Sequence, residues 1–149
     1  MASTATPTES TLEQLLLLEL GDALYALDSR SVHEIVPTVP ATRLPGAPAY
    51  VRGVVNLRGQ LVTVIDLAHR LTGQPLRNPE SSTIVVRSGE RVLGLSVDEV
   101  RDVQSIHAGA EGLPSAELGT GSLVKGMGRL GDEVVIVVDV DEIVRQTLA

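Results

Sequence analysis

The chain has 149 residues, enough for one compact domain with a sizeable core, and its 12 Lys+Arg against 19 Asp+Glu leave a formal net charge of −7. With no Trp or Phe and only Tyr25 and Tyr50, it offers neither a cationic footprint for phosphates nor an aromatic platform for bases, so no nucleic-acid partner is expected. The absence of Cys removes disulfides, a thiol nucleophile and cysteine-ligated metal from the reading.

Residues 1–11 (MASTATPTEST) form a Ser/Thr/Pro segment that reads as a disordered tail and lacks the basic and apolar regions of a secretory signal. The domain is expected over 12–149. Its 21 Val, 21 Leu and 6 Ile come in short runs broken by turn signals: LLLLEL, Gly21-Asp22, LYAL, then GQLVTVIDL, STIVVRSGERVLGLSV and GDEVVIVVDV. Val-rich runs of this length favour strands over helices. Hairpin turns are predicted at Ser88-Gly89-Glu90 and Leu130-Gly131-Asp132, and short helices over 66–71 and 139–148. The longest apolar stretches, 15–18 and 134–138, fall far short of the roughly 20 residues that span a bilayer, so a soluble cytoplasmic protein without direct membrane insertion is expected.

The chain repeats itself. Gly21–Leu27 aligns with Gly89–Leu95, and Val32–Ile35 with Val100–Val103, at an offset of 68; Gln60–Asp66 aligns with Glu133–Asp139 at an offset of 73. The slip falls between Ala108 and Gly131, which hold seven of the fourteen glycines. Two similar all-β halves, over 12–75 and 80–145, packed against each other, account for this pattern.

Gly126-Met127-Gly128-Arg129-Leu130-Gly131 satisfies G-x-G-x-x-G, but a strand follows it where a dinucleotide site needs a helix, so it reads as a turn feeding a strand and no cofactor is expected. Asp139 with Glu142 three residues on reads as a helix cap of the capping-box type, and Asp66 holds the matching place in the first half. His33, His69 and His107 are isolated, without metal-ligand spacing, and no nucleophile elbow is present. No catalytic residue and no metal site is assigned. The enzyme alternative is a small β-barrel hydrolase or ligand-binding protein using Asp66 and Asp139 as paired acids, which requires the two carboxylates to converge. In Val51–Val62 two apolar strands flank a turn where Gly59 suits positive φ and Asn56 hydrogen-bonds locally, while Arg58 has no turn duty and reads as a solvated surface arginine or a member of a simple ion pair.

The stretch Gly53-Val-Val-Asn56-Leu57-Arg58-Gly59-Gln-Leu-Val-Thr-Val-Ile-Asp66-Leu67 closely resembles the most recognisable part of the CheW-like domain. Leu18–Ile35, Val92–Val100 and Gly126–Ile143 extend the resemblance to nearly the whole chain. It implies an all-β fold of two SH3-like five-stranded β-barrel subdomains. It also implies a non-enzymatic, stand-alone adaptor that couples the cytoplasmic tip of a methyl-accepting chemoreceptor to the regulatory domain of a chemotaxis-type histidine kinase, in membrane-associated receptor clusters. The matching arginine lies in the receptor-coupling region, which makes Arg58, with Asn56 beside it, the leading receptor-binding candidate. An aliphatic groove between the barrels suits one face of a receptor helix. Its candidate lining is Val32, Ile35 and Val36 in one half and Val100 and Val103 in the other, with Glu34 and Arg58 as rim charges; the alternative for these aliphatics is ordinary core. The kinase contact is not assigned to residues; loop-like composition points to 40–47 and 113–124. The nearest alternative is the same scaffold in a non-flagellar chemosensory pathway.

Overall fold

The computed structural model of the chain describes residues 12–78, 82–107 and 122–148. The expected tail and most of the 113–124 segment lie outside the described residues. Ten strands run in chain order as β1 (Leu12–Leu20), β2 (Ala23–Asp28), β3 (Val32–Pro37), β4 (Val51–Leu57), β5 (Gln60–Asp66), β6 (Ser82–Ser88), β7 (Arg91–Val97), β8 (Glu99–His107), β9 (Val124–Leu130) and β10 (Glu133–Val138). Helix α1 (Leu67–Thr72) follows β5 and helix α2 (Val140–Leu148) follows β10, so the two helices occupy matching places in the repeat.

The strands form two five-stranded sheets, ordered β8-β1-β2-β10-β9 and β3-β6-β7-β5-β4. All neighbours are antiparallel except β2 with β10 and β5 with β7. The two sheets cut across the repeat halves at 12–75 and 80–145, a strand partition that the sequence leaves open. Each combines the leading hairpin of one half with the last three strands of the other, so β1–β2 joins β8–β10 and β6–β7 joins β3–β5. The exchange has a physical basis in the repeat itself. Related strands carry the same apolar pattern, so pairing across halves buries the same faces as pairing within one.

The LLLL run is buried on both sides of its sheet. Leu16, Leu18 and Leu20 face a core shared with Ile84, Leu93, Leu95 and the helix residues Leu67 and Ile143. Leu15 and Leu17 face a second cluster with Leu24, Ala26, Ile106, Val135 and Val137. Alternate strand residues point to opposite faces, so a continuous apolar run marks a strand covered twice. The corresponding interior of the second sheet is filled by Val55, Val62, Val64 and Val85, leaving a cavity of ≈ 10 Å³, about the lower limit for one water.

The glycine-rich G-x-G-x-x-G stretch is itself strand: Gly126 and Gly128 lie buried within β9, and Gly131 turns the chain into β10. Both predicted caps form. Asp66 accepts the His69 amide at 2.9 Å and the Leu76 amide at 3.0 Å, and Asp139 accepts the Glu142 amide at 3.0 Å. The reciprocal half of the capping box is not made. The Asp139 amide donates to the Leu123 carbonyl at 2.7 Å, while the Glu142 carboxylate pairs with Arg145 and accepts from Gln146.

Candidate functional site

Four two-residue hairpin loops close the antiparallel pairs β1–β2, β4–β5, β6–β7 and β9–β10. In three of them the first loop residue is a glycine with φ near +63°: Gly21, Gly89 and Gly131. In β4–β5 the same place holds Arg58, with φ +51°, followed by Gly59 with φ +89°. Positive φ at both positions is the type I′ arrangement, whose twist matches that of the flanking strands. Among the described residues Arg58 alone adopts positive φ without being glycine. An L-residue with a Cβ pays about 1–2 kcal/mol for this left-handed conformation. The expectation that Arg58 has no turn duty is thereby corrected: it occupies the most demanding position of the turn. Asn56 behaves as read, its Oδ1 accepting the Gly59 amide at 2.8 Å.

From this turn the Arg58 guanidinium reaches Glu34 on β3, pairing residues 24 apart in sequence. β3 and β4 are the two outer strands of the second sheet, so the pair ties the β4–β5 turn to the opposite edge. The Arg58 side chain is 71% exposed against 24% for Glu34. A pair this open contributes about 0–1 kcal/mol to stability, less than the strain of the backbone that presents it. The expected rim charges are thus brought together, with Arg58 outermost.

The expected aliphatic lining divides. Ile35 and Val103 are 44% and 49% exposed, on the outer strands β3 and β8 of different sheets. Val32 and Val100 instead pack, partly buried, against the shared core. Val36 turns inward to line the small cavity of the second sheet. Leu61 and Val134 are 71% and 52% exposed, a repeat-related pair that the sequence reading does not single out. Their cross-strand partners are Asn56 and Arg129, and a polar partner on the same face is the sequence signal of a solvent-facing position.

The linker between β3 and β4 lies against β4. Thr42 and Val54 exchange backbone hydrogen bonds of 2.9 and 2.8 Å, and Gly53 permits the approach, since a Cβ there would sit 2.2 Å from the Thr42 carbonyl oxygen. Beside the linker an open crevice of ≈ 650 Å³ is lined by Arg43, Arg52, His69 and Asp66 among apolar residues. Asp66 lines this crevice, yet both its oxygens accept backbone amides. Asp139 caps the other helix, so the convergent pair demanded by the hydrolase alternative is not formed.

No helix among the described residues is long and apolar enough to cross a membrane. Residues 14–148 match the family model described as the CheW-like domain. The chain is 33% identical to the chemotaxis protein CheW of Klebsiella aerogenes over 135 residues, covering 88% of this chain and 81% of that protein. It is 30% identical over 112 residues to protein PilI of Pseudomonas aeruginosa, covering 72% of this chain and 62% of that one. The crystal structure of scaffolding protein TtCheW from Thermoanaerobacter tengcongensis superposes with a TM-score of 0.75 at 30% identity, over 86% of this chain and 84% of that one. Two five-stranded sheets, the Asn-Leu-Arg-Gly turn at 56–59 and these likenesses together place the chain in the CheW-like domain family.

Proposed function

We propose that this chain is a non-enzymatic cytoplasmic adaptor that couples the helical cytoplasmic tip of a chemoreceptor to the regulatory domain of a chemotaxis-type histidine kinase. The observation that carries the receptor side is Arg58, a mostly exposed guanidinium held by a strained turn beside Glu34. Strained backbone at an exposed side chain marks a position retained for contact rather than for stability. Ile35, next to Glu34 on β3, and its repeat mate Val103 offer exposed aliphatic surface for an apolar helix face. Arg58 and Glu34 supply the charges that fix register and reject wrong partners. Leu61 and Val134 leave further apolar surface for a second partner, which an adaptor requires.

Charge reversal tests the receptor side. Arg58→Glu faces Glu34 with a like charge and should abolish binding to a soluble receptor-tip hairpin while the melting profile stays near wild type. Retained binding would remove Arg58 from the interface, and a large loss of stability would make it a structural residue. The likeness to PilI, a relative not named as a chemotaxis protein, favours a second reading with the same mechanics: an adaptor of a chemosensory-type pathway whose output is not the flagellar motor. Which kinase the chain binds in its own cell distinguishes the two.

A further inference from the structure

We propose that Asn56 is a positioning residue for partner recognition, acting through the backbone of Arg58 rather than by touching the partner. This rests on the reading of Arg58 as a receptor contact.

Three of the four two-residue loops place glycine where Arg58 stands, so three reach positive φ at that position at no steric cost, whereas Arg58 does so under strain. A strained residue relaxes unless its surroundings over-determine it. Two contacts do so here. The Asn56 Oδ1 accepts the Gly59 amide at 2.8 Å, closing the turn from one strand, and Glu34 takes the guanidinium from the far edge of the sheet. Asn56 stands opposite Leu61 in the ladder, and its side-chain oxygen is spent on the turn. In the three glycine-first loops the residue at the place of Asn56 is Glu19, which pairs with Arg101, or Arg87 or Arg129, whose side chains carry no acceptor for a loop amide. The Gly21 loop is held from outside its hairpin instead, its amide donating to Asp98 at 2.6 Å, so the brace from within the hairpin accompanies the one loop with a side chain at positive φ. Without it, part of the population leaves the competent turn, and apparent affinity falls by the lost fraction.

The experiment combines calorimetric titration with a soluble receptor-tip hairpin and the intraresidue amide–Hα nuclear Overhauser effect of Arg58, which is strong only at positive φ. Asn56→Ala should weaken binding about five- to tenfold and diminish that signal. Asn56→Asp, which keeps an acceptor at the same place, should restore both to within about twofold of wild type. Wild-type affinity in Asn56→Ala overturns the proposal. So does a loss of affinity with the Arg58 signal unchanged, which would make Asn56 a direct contact. Arg58→Ala is the separate control: if it binds as wild type does, the receptor-contact reading fails, whereas its loss of binding beside a fully active Asn56→Ala confines the failure to the positioning role.

Discussion

Replacing Arg58 with glycine separates presentation from stability. The native turn holds a Cβ-bearing residue at φ +51°, and removing that Cβ relieves about 1–2 kcal/mol. Against this stand the freer unfolded chain of glycine, about 0.5–1 kcal/mol, and the lost pair with Glu34, about 0–1 kcal/mol for an exposed bridge. The three terms nearly cancel, so Arg58→Gly should lie within about 1 kcal/mol of wild type, or roughly 2–4 °C in Tm for a chain of this size. Arg58→Ala keeps the strain and loses the pair, so it should be the less stable of the two, by about 1 kcal/mol. Urea unfolding ranks the three proteins, and titration with the receptor-tip hairpin should show binding lost in both variants. A loss above about 3 kcal/mol in Arg58→Gly would rule this balance out, because the turn would then depend on the arginine itself.

Gly53→Ala, whose Cβ would meet the Thr42 carbonyl at 2.2 Å with φ +140°, should cost more than about 3 kcal/mol and abolish amide protection at Thr42 and Val54; hydrogen exchange and chemical unfolding check both. Asp98→Ala strands the Gly21 and Asn78 amides, held now at 2.6 and 2.7 Å, and should lower stability by about 1–3 kcal/mol in the same unfolding assay. Hydrogen bonds from Arg77, Arg30 and Arg145 hold the carboxyls of Asp22, Asp28 and Glu142 below their ordinary values of 3.8, 3.8 and 4.5. The folded-state values are depressed, so these groups stabilise the fold above those ordinary values, and the contribution is lost as pH falls through the lowered ones. Asp28→Asn should therefore be less stable than wild type at pH 7, with the gap closing in acid unfolding as pH falls below the ordinary value of 3.8.

The local structure was legible where it rests on local chemistry. Val-rich runs, the glycine of each hairpin and the two capping aspartates announce their elements because each needs only neighbouring residues. β9 was not legible as a strand, since Gly126 and Gly128 weaken strand propensity and bury by being small. The exchange of hairpins between halves was hidden for a deeper reason: the repeat makes β3 and β8 equivalent partners for β1, and only three-dimensional closure selects one. At the site, Asn56, Arg58 and Glu34 were singled out, whereas the turn geometry that makes Arg58 unusual was not. Glycine at 59 signals one positive φ, but nothing in an arginine signals a second. The five aliphatics of the expected groove were indistinguishable by type, and strand alternation together with the sheet partners decides that Ile35 and Val103 face outward while Val32, Val36 and Val100 pack inward.

The adaptor reading requires one chain to hold both partners at once. Sedimentation of the protein with a soluble receptor-tip hairpin and the isolated kinase regulatory domain, all from the same cell, tests this directly. A single complex containing all three is expected, from which Arg58→Glu removes the receptor fragment and leaves the kinase domain bound. Mutual exclusion of the two partners, or joint loss of both in Arg58→Glu, would overturn the adaptor role.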